Sequence, residues 1–168
     1  FSGPSRRVQP LGTLIRQENG TAQTAESLAA FGQGTLEITP QLHVTAGLRY
    51  TTEKRELEGP VTQFFLDGTS AVTRVDNSDR FNKLTFRGAI DYQISDDVLG
   101  YVSFNRGFKS GGFNPAVVAL GAFRPEQLDA YEAGLKTTLF DRRVRLNMAI
   151  FRYNYSDLQV SRLVGGLT

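Results

Sequence analysis

The feature that most constrains this chain is a period-two alternation of apolar and polar residues that continues over unusually long stretches. From Leu42 to Glu53 most even-numbered residues are apolar and most odd-numbered residues are polar, a stretch longer than the common strand of about 5–6 residues. The alternation returns after Phe81 and again after Val98, and a weaker copy begins near Leu28. Because successive side chains of a strand point to opposite faces, the sequence predicts an all-β antiparallel fold.

Composition excludes several kinds of function. The 168 residues include no cysteine and a single histidine, His43, so we expect no disulfide, no metal site and no cofactor. The net charge of +2 is too balanced for nucleic-acid binding. No nucleophile has a recognisable partner base in the sequence, so we expect no catalytic residues and no enzyme activity.

The connections between the alternating stretches indicate how the strands are arranged. Short polar turns are predicted at residues 39–41, 95–97 and 141–143, and long connections at about residues 58–80 and 111–124. Short and long connections alternate, so the long ones gather at one end of the sheet. Long strands with tight turns at one end and long loops at the other are typical of an outer-membrane β-barrel, with its apolar face toward lipid and its polar face toward the lumen.

The same alternation also fits a soluble antiparallel sandwich, in which the apolar face packs against a second layer. Two segments are ambiguous in either architecture. Residues 125–140 fit a strand, and they also fit a helix because Leu128, Tyr131, Leu135 and Leu139 follow helical spacing. In residues 144–160 the bulky side chains move from even to odd positions near Ile150, which either a bulge or lumen-facing aromatic residues would explain.

Several short motifs, in a fixed order, resemble the barrel domain of TonB-dependent outer-membrane receptors. They lie at Ser27–Gln33, Ala46–Thr51, Tyr101–Asn114, Arg124–Lys136, Leu146–Phe151 and Tyr155–Gln159. The resemblance favours a strand at residues 125–140. It also implies a complete barrel of about 22 strands around a plug domain, so this chain, with about three hairpins, is expected to be a barrel fragment.

The resemblance implies a bacterial outer-membrane location and energy-coupled uptake of a scarce nutrient, most commonly a ferric siderophore. Implied partners are this small ligand, outer-membrane lipid and lipopolysaccharide, and the TonB complex acting through a plug that is missing from this chain. The alternative is a passive porin-like or structural barrel. The expected organisation is a loop region at residues 1–24 leading into the barrel, a partial barrel at 25–160 and the start of a further loop at 161–168.

The resemblance implies that ligands are captured at the outer mouth, and the candidate ligand-binding residues follow from this expectation. Four polar residues are expected on the lumen side near the loop end: Arg55, Asn105, Lys109 and Asp129. Four more lie in the two long connections, where aromatic and cationic groups occur together: Phe64, Phe65, Arg74 and Phe113. The alternative is that these connections only pack against each other or against lipopolysaccharide.

Overall fold

The computed structural model describes residues 13–115 and 121–160, and these residues form an all-β antiparallel structure. Residues 125–140 are a strand over most of their length, which confirms the strand alternative. Within the described residues, no helix is long and apolar enough to cross a membrane. The strands are β1 (Leu14–Asn19), β2 (Ala22–Thr39), β3 (Leu42–Phe65), β4 (Ser70–Ser95), β5 (Val98–Lys109), β6 (Gly112–Phe113), β7 (Ala122–Phe123), β8 (Glu126–Leu139) and β9 (Val144–Ser156).

The main sheet is a curled antiparallel meander that follows chain order. Strands β2, β3, β4, β5, β8 and β9 each pair with the next, while β6 and β7 form a separate two-stranded ribbon in the connection between β5 and β8. The tight turns lie where the sequence predicts them, between β2 and β3, between β4 and β5, and between β8 and β9. Three consecutive residues of the last turn, Phe140, Asp141 and Arg142, have φ angles of 54°, 53° and 66°.

The two faces of the sheet differ as the alternation predicts. Directly paired residues of antiparallel strands lie on the same face, so the register assigns each residue to one side. One face, called here the outer face, carries a belt of exposed apolar side chains that includes Leu48 (59% exposed), Leu84 (55%), Ile90 (45%) and Val102 (50%). A sandwich would cover these side chains with a second layer, so the sandwich alternative is wrong and the sheet is a transmembrane barrel segment.

The opposite face, called here the inner face, carries smaller and more polar side chains. Thr45, Thr51 and Ala89 lie on it and are buried. Strand β9 contributes Phe151 and Tyr153 to this face, because they pair with Glu132 and Ala130. The register between β8 and β9 is continuous, so aromatic residues facing inward, and not a bulge, explain the shift of bulky residues near Ile150.

Strands β3 and β4 continue far past the apolar belt, and this continuation is called here the extension (residues 54–65 and 70–80). The sequence predicts a loop over much of this region, but the two strands stay paired until Phe64 and Ser70. Strand β1 lies in the segment expected to lead into the barrel as a loop and pairs with the end of β3. A membrane-spanning strand needs only about 9–11 residues, so these 24- and 26-residue strands reach well beyond the bilayer.

The tip of the extension is a short turn held by one carboxylate. The Asp67 side chain accepts hydrogen bonds from the Thr69 hydroxyl at 2.6 Å and from the Thr69 backbone N–H at 2.9 Å. These bonds, that from the hydroxyl first, lower the pKa of the Asp67 carboxyl below its ordinary value because they favour its charged form.

Candidate ligand site at the outer end of the inner face

Three of the eight predicted ligand residues lie on the inner face in polar surroundings, Asn105 at the level of the apolar belt and Arg55 and Lys109 nearer the outer end. Arg55 forms an ion pair with Glu53 on the same strand, while its Nε is buried without a hydrogen-bond partner among the described residues. Asn105 pairs in register with Arg87, and its amide lies 3.4 Å from the Ser103 hydroxyl oxygen. Lys109 is exposed and pairs in register with Glu126. These side chains supply cationic and amide donors to one side of the sheet.

Phe65 and Phe113 also belong to the inner side, but both are buried. Phe113, only 6% exposed, packs in an apolar cluster with Leu57, Val61 and Val75 of the extension. The connection between β5 and β8 therefore folds back onto the inner face of the extension. The expectation that the two long connections pack against each other is confirmed at Phe113, and its ring is not open to a ligand in this arrangement.

Asp129 does not lie on the lumen side with Asn105, so that part of the prediction is wrong. It pairs in register with Arg106, on the outer face, and accepts two hydrogen bonds from that guanidinium, both at 2.6 Å. The Arg106 guanidinium also lies 5.0 Å from the centre of the Phe86 ring. Because an arginine on an apolar face is costly without a partner, a carboxylate on the adjacent strand is the natural neutralising group.

Phe64 and Arg74 also face away from the inner side. Phe64 pairs with Arg16 of β1, whose guanidinium lies 5.4 Å from the ring centre. Arg74 pairs with Pro60 and is exposed. The alternation of side chains along β3 and β4 places both on the outer side of the extension, away from Arg55 and Lys109.

Three cations follow one another on two neighbouring strands of the inner face, from the level of Asn105 toward the outer end. Lys83 pairs with Thr51, Arg49 with Thr85, and Arg87 with Gly47, so the three follow one another along the wall. Arg49 donates to the Thr51 hydroxyl at 3.2 Å and lies 5.7 Å from the Phe31 ring centre. None of these three forms an ion pair with another described residue.

The sequence does not reveal the residue that ties this region together, which is Gln159. It follows β9 and contacts both ends of the connection between β5 and β8. Gln159 ends one of the short motifs, Tyr155–Gln159, and that motif is the only signal that points to it. Its role depends on three segments far apart in the sequence, so spacing alone could not show it.

A curled antiparallel sheet with an exposed apolar belt and a polar inner face defines a class of protein, the wall of a transmembrane β-barrel. A family model, described as TonB dependent receptor-like, beta-barrel, matches residues 3–167. The chain therefore belongs to the TonB-dependent receptor family. Its members are transporters of the bacterial outer membrane and not enzymes.

Curated relatives and solved structures agree with this assignment. The chain is 24% identical over 169 residues to the catecholate siderophore receptor Fiu of Escherichia coli K12, an alignment that covers 89% of this chain and 22% of the relative. The structure of the ferric yersiniabactin uptake receptor FyuA from Yersinia pestis has a TM-score of 0.69 at 23% identity, over 83% of this chain and 22% of that one. The alcaligin outer-membrane receptor FauA from Bordetella pertussis has a TM-score of 0.58 at 22% identity, over 84% and 23% of the two chains. At these identities the structures establish the fold, and the chain spans about a fifth of the length of these proteins.

Proposed function

We propose that this chain forms part of the barrel of an outer-membrane receptor that takes up a ferric siderophore by energy-coupled transport. The observation that carries the proposal is the family match over residues 3–167. The names of the relatives support an iron chelate over other scarce nutrients, because one is a catecholate siderophore receptor and another a ferric yersiniabactin uptake receptor.

The chemistry at the outer end of the inner face supports an anionic iron chelate. Catecholate oxygens bound to iron carry negative charge, and arginine and lysine donate charge-assisted hydrogen bonds to such oxygens. We assign the ligand contacts to Arg55, Asn105 and Lys109. Phe65 and Phe113 shape the wall beside them, and the outward-facing Phe64, Arg74 and Asp129 take no part in this contact.

The outer face and the flanking segments have separate partners in this proposal. The apolar belt contacts outer-membrane lipid, and the outer side of the extension contacts lipopolysaccharide. TonB acts through a plug outside this chain. Residues 25–160 carry the barrel wall, strand β1 within residues 1–24 completes the extension, and the further loop expected at residues 161–168 lies outside the described residues.

Uptake of radiolabelled iron by cells that express the full-length receptor tests the proposal. With a ferric catecholate supplied at limiting concentration, we expect Arg55→Gln and Lys109→Gln each to raise the concentration needed for half-maximal uptake by about tenfold, the effect of losing roughly 1.4 kcal/mol of binding free energy. Arg74→Gln is the matched control, because it also removes an exposed arginine charge, but from the outer side of the extension, and should leave uptake unchanged.

Deleting TonB in the same cells separates the proposal from a passive barrel. Energy-coupled transport predicts that uptake stops while binding of the chelate to the cell surface remains. Uptake that continues without TonB would support the porin-like alternative and overturn the proposal. If uptake requires TonB but occurs only with a ferric hydroxamate, cobalamin or haem, the chain still belongs to an energy-coupled receptor. The assignment of a ferric catecholate as its ligand would then be wrong.

A further inference from the structure

Gln159 binds the two ends of the connection between β5 and β8 at the same time. Its side-chain Nε2 donates to the backbone carbonyl of Ser110 at 3.1 Å and to that of Arg124 at 3.0 Å. Its backbone N–H donates to the Glu126 carboxylate at 3.1 Å. A glutamine amide nitrogen has two N–H donors, and here each one serves a different end of the connection.

Sheet pairing joins the two ends on either side of these contacts, in the main sheet at Lys109 and Glu126 and in the β6–β7 ribbon at Gly112 and Phe123, but Ser110 and Arg124 lie between the two ladders. The hydroxyl of Ser110 is buried and has no hydrogen-bond partner among the described residues. Arg124 is exposed, and its side chain has no hydrogen bond with another described residue. Since β5 ends at Lys109 and β8 begins at Glu126, Gln159 acts in the gap between the main sheet and the β6–β7 ribbon, where Ser110 and Arg124 are not paired with each other.

The segment just beyond this point is closely fitted between Phe81 of the inner face and Phe123 of β7. A Cβ atom on Gly111 would lie 2.7 Å from the Phe81 ring, and a Cβ atom on Gly112 would lie 3.2 Å from the Phe123 ring, so both positions have little room for a side chain. Phe113 fills the apolar cluster of Leu57, Val61 and Val75. Val61 is only 2% exposed, so a departure of this segment would uncover an apolar part of the inner face.

We propose that Gln159 is a positioning residue that fastens the two ends of this connection and so keeps Gly111–Phe113 folded over the inner face of the extension. It acts through hydrogen bonds to the backbone and contacts no ligand. The proposal does not depend on which nutrient the receptor transports.

Thiol labelling of the full-length receptor on intact cells, in a cysteine-free background, tests this role. The reporter is Val61→Cys, a small change at a buried position beneath Phe113. We expect slow labelling of this thiol by a membrane-impermeant maleimide with Gln159 present, and labelling at least fivefold faster with Gln159→Ala. Gln159→Met should behave like Gln159→Ala, because it keeps the volume of the side chain and removes both donors.

Two controls separate this role from a general loss of stability. Gln127→Ala removes a glutamine near the start of β8 whose side chain has no hydrogen bond with another described residue, and it should leave the thiol at position 61 protected. A second reporter, Ala89→Cys, lies at a buried position of the inner face far from Gln159, and its labelling rate should stay constant in every variant.

Each other outcome overturns the proposal. Unchanged labelling at position 61 in Gln159→Ala would show that the amide does not hold the segment. Protection retained in Gln159→Met would assign the effect to packing and not to hydrogen bonds. Equal acceleration at positions 61 and 89 would show a barrel that has loosened as a whole.

Discussion

Tyr101 lies against Gly134 of the neighbouring strand on the inner face, and the contact leaves no room for a larger residue. Its hydroxyl donates to the Glu132 carboxylate at 2.5 Å, and the Lys136 ammonium lies 5.2 Å from the centre of its ring. A Cβ atom on Gly134 would come within 2.6 Å of the Tyr101 hydroxyl oxygen. The absence of a side chain at residue 134 therefore determines where the tyrosine ring lies.

We expect Gly134→Ala to destabilise the barrel, because the added methyl group displaces the Tyr101 ring from Glu132. Forcing one extra carbon into a packed contact costs about 1–3 kcal/mol. The free energy of unfolding of the full-length receptor in urea, followed by its mobility on unheated gels, measures the effect. Gly107→Ala is the control, since it lies on the paired strand and its new Cβ would meet nothing within 4 Å. Equal destabilisation by the two variants would contradict the steric explanation.

The pair formed by Arg106 and Asp129 leads to a prediction that separates stability from ligand uptake. Asp129→Asn removes the carboxylate that neutralises Arg106 on the outer face, so we expect a lower free energy of unfolding in lipid. The double variant Arg106→Met with Asp129→Leu should recover much of that loss, because it removes both charges from an apolar surface. Uptake of a ferric catecholate should be unchanged in both variants at equal amounts of receptor in the membrane. Uptake that falls in Asp129→Asn under that condition would restore this residue as a ligand contact.

Alternation alone places Asp129 correctly. It shares odd parity with Tyr131 and Leu135, which the sequence assigns to the apolar face, and β8 keeps one register from Glu126 to Leu139. The prediction places Asp129 on the lumen side because a carboxylate is expected to avoid a surface that faces lipid. The compensating arginine lies 23 residues earlier in the chain, on a different strand, so the sequence could not show that the two charges neutralise each other.

At the scale of the elements, the extension begins where the neighbour of β3 on one edge changes from β2 to β1. Gly59 has a φ of 134°, and a Cβ atom there would lie 2.5 Å from the carbonyl oxygen of Gly20. The Gly20 N–H donates to the carbonyl of Pro60 at 2.9 Å, between the part of β3 that pairs with β2 and the part that pairs with β1. A residue other than glycine is strained at this φ, and its Cβ atom also clashes with Gly20, between β1 and β2.

We therefore expect Gly59→Ala to loosen the extension and to leave the membrane-spanning wall intact. Amide hydrogen exchange of the full-length receptor should be at least tenfold faster at Val61, Gln63 and Val72, and unchanged at Val44 and Ile90. The control is Gly68→Ala at the tip, which also has a positive φ, 80°, but no atom within 4 Å of its added Cβ. Its effect should stay within the turn. Exchange that accelerates equally in the wall would show that Gly59 supports the whole sheet and not only the extension.

The sequence predicts the strands of the wall and misses most of the extension for one physical reason. In the wall, one face meets lipid, so an apolar residue is required at every second position, and the alternation is visible. In the extension neither face meets hydrocarbon, and residues 66–70 and 76–80 of the predicted connection are largely polar, which is typical of a loop. Pairing with a long neighbouring strand holds residues 76–80 in β-structure, and that information is not local. The same reasoning explains why the sequence predicts a loop at strand β1, which is short and polar.

At the scale of the whole molecule, neighbouring residues of one strand face two different solvents, and this gives the sharpest test of the fold. Val102 lies in the apolar belt and is 50% exposed, while Ser103 lies on the inner face opposite Ala89 and Glu132. In a barrel wall the first side chain meets hydrocarbon, and the second meets the polar interior. In a soluble sheet the exposed residue would meet water and the inner one would be the more sensitive of the two.

We expect Val102→Arg to lower the free energy of unfolding in lipid vesicles by about 2–4 kcal/mol, the cost of an arginine at the bilayer midplane. Ser103→Arg should cost much less, because the new cation can pair with Glu132 on the adjacent strand. A larger loss for Ser103→Arg than for Val102→Arg in lipid would mean that the apolar belt is not the membrane surface, since the two residues are adjacent and differ chiefly in the face from which they project.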